Sequence, residues 1–392
     1  MKRGAGGAEA LRAAFLSLPP DTPQEVIQAR LAEIHAESGL EQVMDCLHRW
    51  ELGAGYITRE KLEDVERLRF PDPDSGVTFR IQVNFARTRY SDAQERERRA
   101  REPAPGRAAG PAPDGPGGPA PGSGSAPAPR PCLLCRENVG RPGKETLRLY
   151  EFPLDGRSRR FFLQLTPFPL YPYHFVPVLA EHCPQLLSAQ SLTDMFDFLR
   201  QAPGYTVVSN SDVEWAGASI LTHLHYQALA GVRLPVMDAR PDPRLGRRLP
   251  GVLVEFLDYP MAAFRLTGPA EAPVREAASA LLEAWKEREP GRNTVNLALV
   301  REPAGFLAAV LLRNPDYRTP EALRRFKSEG VGVIEASGEA ILPVPGGPEA
   351  DAMWARIRGE GLSLVKGLIA GNSPPRDPGR MRDLLEEALR RI

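Results

Sequence analysis

An α+β fold built mainly on antiparallel sheet is the class this sequence predicts, and three observations predict it. Short apolar runs rich in strand-forming residues follow one another across short loops, as in "RFFLQL", "HFVPVL" and "YTVVS". Helical periodicity is set among these runs. The runs also fall into two groups of similar size and content, one before and one after about residue 240.

The elements follow in order. The opening "MKRGAGGAEALRAAFLSLPP" has the outline of a signal peptide, but Glu9 and Arg12 interrupt its apolar stretch, so a cytoplasmic leader is expected. "TPQEVIQARLAEIHAES" predicts a helix with Thr22 as N-cap, Pro23 at the first helical position and Glu25 completing a capping box. The helical pattern continues through "LEQVMDCLHRW", and "GVTFRIQVNFART" reads as a strand. Residues 1–97 are thus a helical region with a first strand. From 98 to 131 the chain is Pro/Ala/Gly-rich with almost no large apolar residue, which predicts a disordered loop without chemistry of its own. In "SLTDMFDFLRQAPG", Leu192, Met195, Phe196 and Leu199 follow helical spacing, and Pro203-Gly204 ends the pattern. "SILTHLHYQ" completes a module expected over 132–240. A second module, 241–392, holds the strands "VLVEFL", "AAFRL", "TVNLALV", "FLAAVLL" and "GVGVIEASGEAIL" around the helix "APVREAASALLEAWKERE". Two helical stretches, "DAMWARIRGEGLSLVKGLIAG" and "GRMRDLLEEALRRI", close the chain.

Composition narrows the function classes. The 392 residues carry 50 basic and 50 acidic side chains, which gives no case for a nucleic-acid footprint. No apolar run approaches about 18 residues, so no membrane span is expected. Four cysteines, two of them in "CLLC", do not make a disulfide framework and suit a reducing compartment.

The chemistry concentrates in a few places. Cys132-x-x-Cys135 has a spacing that lets two thiolates reach one tetrahedral metal centre, with a redox pair and two ordinary thiols as the alternatives. If a metal is bound, His182 and His223 are the natural third and fourth ligands. "HLHYQ" sets His223, His225 and Gln227 at alternate positions, so on extended backbone they share one face and Leu224 and Tyr226 take the other. With His223 tied to metal, His225 is free to attack phosphorus as a neutral imidazole, and Gln227 offers amide donors to a phosphate oxygen. The plainer alternative makes both histidines ligands and Gln227 a solvated strand residue. Before them, "SNSDVEWAGAS" places Asn210, Ser211, Asp212, Gly217 and Ser219 in one loop, where small residues admit close approach and polar ones bind ribose or phosphate. Arg87 and Arg313 can each fork a phosphate, with a solvated strand end as the alternative. His35 and His48 are expected at the surface or core edge, and His174 in packing. "GRPGK" fails the spacing of a phosphate loop.

Taken together, "RIQVNFART", "CLLCRENVG", "FFLQLTPFPLYPYHFVPVLAEHCPQ", "YTVVSNSDVEWAGASILTHLHYQ", "VEFLDYPMAAFRL" and "GVGVIEASGEAILP" resemble the class II galactose-1-phosphate uridylyltransferase family of the histidine-triad superfamily. The resemblance runs from about residue 79 to 343. It implies two histidine-triad-like antiparallel half-barrel modules with flanking helices and a homodimer. It implies ping-pong transfer of UMP between UDP-glucose and galactose 1-phosphate through a uridylyl-His225 steadied by Gln227. By the same resemblance Cys132, Cys135, His182 and His223 match zinc ligands with a structural role. Asn210, Gly217 and Ser219 match nucleotide contacts, and Glu335 a hexose contact. The family's H-D-H-F-Q-G-G is here "HLHYQAL", so Leu224 replaces an Asp and both glycines are gone. Two alternatives stand beside this reading. One is a dinucleoside-polyphosphate or GDP-sugar phosphorylase using the same covalent histidine; the other is a non-catalytic, zinc-stabilised nucleotide-binding protein.

Overall fold

The structure, a computed structural model, describes residues 5–85, 132–154, 159–167, 169–218, 220–327 and 330–392. The predicted loop at 98–131, Arg87 and Ser219 lie outside the described residues.

Four helices open the chain: α1 (Ala5–Leu16), α2 (Gln24–Ser38), α3 (Leu40–Ala54) and α4 (Arg59–Glu63). Gly39, at φ +84°, turns the chain between α2 and α3, a conformation that suits glycine. The expected capping box does not form. Pro23 is itself the N-cap, and the Thr22 hydroxyl donates backwards to the Pro19 carbonyl at 2.6 Å.

Ten strands then build one antiparallel sheet: β3 (Tyr150–Pro153), β4 (Arg160–Leu165), β5 (His174–Leu179), β6 (Tyr205–Ser209), β7 (Gln227–Ala230), β8 (Pro241–Leu249), β9 (Val252–Leu257), β10 (Ala263–Gly268), β11 (Thr294–Glu302) and β12 (Gly305–Arg313). Their order is β3-β4-β5-β7-β6-β11-β12-β10-β9-β8. Counted inward from either edge, each five-stranded half has the same connectivity: three strands in sequence, then the fifth, then the fourth. The halves meet at β6 and β11, paired from Ser209↔Leu297 to Thr206↔Val300. Each half inserts one helix between its third and fourth strands, α5 (Ala189–Gln201) and α6 (Glu271–Arg288), and these two pack together. This is the α+β architecture expected, with large antiparallel sheet and flanking helices.

A smaller sheet, β1 (Val65–Pro71), β2 (Thr78–Asn84) and β13 (Glu339–Leu342), pairs β13 parallel to β2. The stretch "GVGVIEASGEAIL" is therefore only partly strand: Val333–Ala336 forms a single helical turn, α7, before β13. The helices α8 (Ala350–Gly371) and α9 (Pro378–Leu389) end the chain.

Alternation along the strands splits the interior in two. Val207, Ala228 and Leu299 face a core shared with α1–α3, α5, α6 and α9, and Leu192, Met195, Phe196 and Leu199 of α5 are buried in it. Val208, Leu229 and Ala298 face a second core, under the small sheet and α8.

Candidate active site

The segment before β7 is extended without being a full strand. It meets β5 through one bridge, His225 with Val178; Leu179 N–H donates to Leu224 O at 3.0 Å and Tyr226 N–H to Pro177 O at 2.9 Å. On its other side, where β6–β7 pairing ends at Val208 and Gln227, the side chain of buried Gln185 takes the place of a neighbouring strand. Its Oε1 accepts the His225 N–H at 2.9 Å, and its Nε2 reaches the His225 carbonyl at 3.4 Å. The strand expected over "SILTHLHYQ" thus begins only at Gln227, but the alternation holds. Leu224, Tyr226 and Ala228 enter the helix-side core, leaving His223, His225 and Gln227 the opposite face.

The two imidazoles have different surroundings. His223 Nε2 lies 2.8 Å from the Leu179 carbonyl, which makes Nε2 the protonated nitrogen and leaves the Nδ1 lone pair free. That Nδ1 lies 3.4 Å from Cys132 Sγ, and His182 Nδ1 lies 3.0 Å from Cys135 Sγ. The two sulfurs are 3.2 Å apart, and the four donor atoms lie within 4.8 Å of one another. Two soft thiols and two imidazole nitrogens converging in this way fit one tetrahedral cation. Burial pushes the Cys135 thiol up to about 11, so a thiolate there needs a cation beside it. The Cys₂His₂ cluster can therefore hold a metal ion.

His225 stands apart from that cluster. Its Nδ1 lies 2.8 Å from the His223 carbonyl, which assigns the proton to Nδ1 and the lone pair to Nε2. Burial holds its pKa down, at about 4, so the ring is neutral at physiological pH. Although only 5% exposed, it lines a cleft of about 620 Å³ between the large sheet and the segments around Leu170, Lys327, Gly332 to Glu335 and Ile341.

Gln227 lines the same cleft, and a neighbour orients it. His174 Nδ1 accepts the Leu170 N–H at 3.2 Å, so its Nε2 carries the proton and donates to Gln227 Oε1 at 3.0 Å. With its oxygen engaged, the Gln227 amide keeps its NH₂ as a donor. His174, expected in packing with a metal or substrate contact as the alternative, is thus the residue that sets which end of Gln227 faces outward.

The predicted loop divides. Asn210 and Gly217 line the cleft. Asn210 Oδ1 accepts the Val333 N–H at 2.9 Å, joining this loop to α7. Gly217 sits at φ +88°, and a Cβ there would lie 2.6 Å from both Arg313 Nη1 and the Val331 carbonyl. Ser211 and Asp212 do not line the cleft. Ser211 turns back to the Val213 carbonyl, while Asp212 is fully engaged by Lys286 of α6, Thr294 Oγ1 and the Leu187 N–H. Both side chains are thus held by partners within the fold.

Glu335 lines the cleft, paired with Lys327 at 2.8 Å and accepting the Gly332 N–H at 2.7 Å, which caps α7. Arg313 is fully buried behind Gly217, bonded to Asn296 and the Val331 carbonyl, with burial lowering its pKa to about 10. Lys144, from the discarded "GRPGK", reaches the cleft through tertiary folding alone.

Comparison with known proteins adds relatives. A family model described as "Domain of unknown function (DUF4922)" matches residues 124–230. The galactose-1-phosphate uridylyltransferase of Bacillus subtilis is 30% identical over 239 residues, covering 54% of this chain and 46% of the relative. That of Halalkalibacterium halodurans is 27% identical over 240 residues, 54% of this chain and 47% of the relative. That of Caldanaerobacter subterraneus is 24% identical over 353 residues, 81% of this chain and 62% of the relative. The chain spans about half the length of the first two. Among solved structures, yeast Ap4A phosphorylase in complex with AMP superposes with a TM-score of 0.53 at 15% identity, over 87% of this chain and 98% of that one. The chain is similar in sequence to the galactose-1-phosphate uridylyltransferases and similar in fold to an Ap4A phosphorylase.

Proposed function

We propose that the chain is a nucleotidyltransferase that carries UMP from UDP-glucose to galactose 1-phosphate by way of a uridylyl-His225. The supporting observation is the commitment of His225 Nδ1 to the His223 carbonyl, which leaves a neutral Nε2 beside a cleft that also holds the Gln227 NH₂. In the first half-reaction Nε2 bonds to the α-phosphorus as the bond from phosphorus to the glucose 1-phosphate oxygen breaks. The ring becomes positive, and the His223 carbonyl offsets that charge through the Nδ1 proton. Gln227 donates to a phosphoryl oxygen as its charge builds. In the second half-reaction an oxygen of galactose 1-phosphate attacks the same phosphorus and the N–P bond breaks. Leaving group and acceptor are both phosphate oxygens, so neither step requires a general acid.

In this reading Asn210 and Gly217 contact the nucleotide and Glu335 the hexose. Ser219 is assigned to the nucleotide from the resemblance, and Arg87 to a phosphate from its guanidinium fork. Zinc held by Cys132, Cys135, His182 and His223 would stiffen the segment that presents His225. The module over 132–240 then carries the chemistry and 241–392 completes the cleft. A cytoplasmic homodimer is part of the same proposal.

The test is intact-mass analysis under single turnover. UDP-glucose is expected to leave a UMP adduct on the wild type and none on His225→Asn. Galactose 1-phosphate should then discharge it, and inorganic phosphate should not. Discharge by inorganic phosphate would favour a phosphorylase, the reading that the fold match brings forward. Tight UDP-glucose binding without any adduct would leave a nucleotide-binding protein and end the proposal.

A further inference from the structure

The cleft's polar groups are held from a place that no functional assignment above touches, a half-buried stripe of helix α3. Glu41, Asp45 and His48 are spaced four and three residues apart, so they form one stripe along α3. All three reach the ends of the strands that flank β7. Glu41 Oε1 accepts the Gly204 N–H at 2.6 Å, at the start of β6. Asp45 Oδ1 accepts the Tyr173 hydroxyl at 3.0 Å, and the His48 ring stacks on Tyr173 with centroids 4.0 Å apart. His48 is 5% exposed, and both of its ring nitrogens lack a hydrogen-bond partner, so it serves here as a flat plate. Of the surface and the core edge expected for it, the ring takes the buried place.

Tyr173 is the residue immediately before His174, and its φ is +54°. A bulky side chain in the left-handed region holds its place only when its surroundings over-determine it. Here the surroundings are Asp45 and His48. The same turn carries the Leu170 peptide, whose N–H sets the His174 tautomer and whose carbonyl is gripped by Arg67 at 3.0 Å and Gln82 at 2.9 Å. The turn is therefore clamped by α3 on one side and by the small sheet on the other.

We propose that α3 is a positioning element for the cleft: through Asp45 and His48 it keeps Tyr173 left-handed, which holds His174 as the Nε2-protonated tautomer and aims the Gln227 NH₂ at the substrate. The proposal rests on the assignment of Gln227 to phosphoryl transfer, and its test separates the two. Nitrogen-15 NMR of the labelled full-length protein reads which His174 nitrogen carries the proton, without any substrate. The wild type is expected to show the Nε2-protonated form alone. Tyr173→Phe and Asp45→Ala each delete the same hydrogen bond from opposite ends. Both are expected to mix the two His174 tautomers and to slow UMP-adduct formation about tenfold, with the Kd for UDP-glucose within about twofold of the wild type. The double variant should be no slower than either single one. An unchanged His174 signal in both variants, with or without a fall in melting temperature, would make α3 a brace and overturn the proposal. Absence of an adduct in the wild type would sink the transferase reading, and the His174 signal would still decide the role of α3.

Discussion

His223 and His225 sit two positions apart on one face, yet their hydrogen bonds give them opposite reactive nitrogens, Nδ1 in the first and Nε2 in the second. One nitrogen faces two thiols; the other belongs to the cleft. Residue spacing makes this pair readable in the sequence, because alternation on extended backbone follows from strand geometry alone. The residues that orient the pair are not readable. Gln185 and His174 lie 40 and 53 positions from the backbone or side chain they hold, and only the sheet brings them together. Gln227→Ala removes the amide that His174 aims. Adduct formation with UDP-glucose is expected to slow by about 10²–10³, the usual cost of one transition-state donor, while Kd changes little. An equal loss in Kd would instead assign Gln227 to ground-state binding, and stopped-flow binding alongside the mass assay distinguishes the two.

At the scale of elements, the best-read pieces are those whose pattern serves a single face. β6 spans the predicted "YTVVS" residue for residue, and α5 buries the four residues its spacing selects. β1, β3 and β8 escaped. β1 is the edge strand "VERLRFP", with alternate residues exposed or half-exposed, and β8 is "PDPRLGRRL", with two prolines and a register shift, so neither shows apolar alternation. The Cys132/Cys135 loop joins the His223 segment by its donors, so removing a cation should loosen both. The purified protein is expected to carry about one zinc ion, Cys135→Ser to lose most of it, and a chelator to lower the melting temperature. A chelator-indifferent melting curve with no metal by elemental analysis would reject the site. Helices α2 and α3 carry a separate signature. Burial lowers the pKa of both His35 and His48, so the fold holds them neutral. The unfolded chain protonates them near pH 6.5 while the folded chain does not. Their stabilisation is therefore complete above that pH and lost as pH falls below it. Hydrogen exchange at pH 5 against pH 7.5 should show the 24–54 region opening more readily at the lower pH.

Across the whole molecule, a common connectivity in two halves is invisible in the letters, because core packing constrains size and polarity far more than identity. All six histidines precede residue 226, so the second half repeats the strand order without any imidazole. What it contributes instead is the far wall of the cleft, Lys327 and Glu335, and the groups that anchor the loop before His223. Asp212 shows this best: Lys286 and Thr294 of the second half both bond to it. Asp212→Ala leaves the half-buried Lys286 ammonium with only the Leu187 carbonyl, and the Thr294 hydroxyl and the Leu187 N–H without their acceptor. Denaturant unfolding is expected to report a loss of about 2–4 kcal/mol, with adduct formation at 25 °C largely retained. A variant as stable as the wild type but unable to bind UDP-glucose would return Asp212 to the substrate.

The seam between β6 and β11 also decides how traffic can pass. Four consecutive backbone pairings weld the two halves into one floor, and parting them like a pair of jaws would break that ladder and expose both strand edges. In the proposed reaction donor and acceptor would therefore reach His225 through a cleft bounded by Leu170, Glu335 and Ile341, without a hinge between the halves.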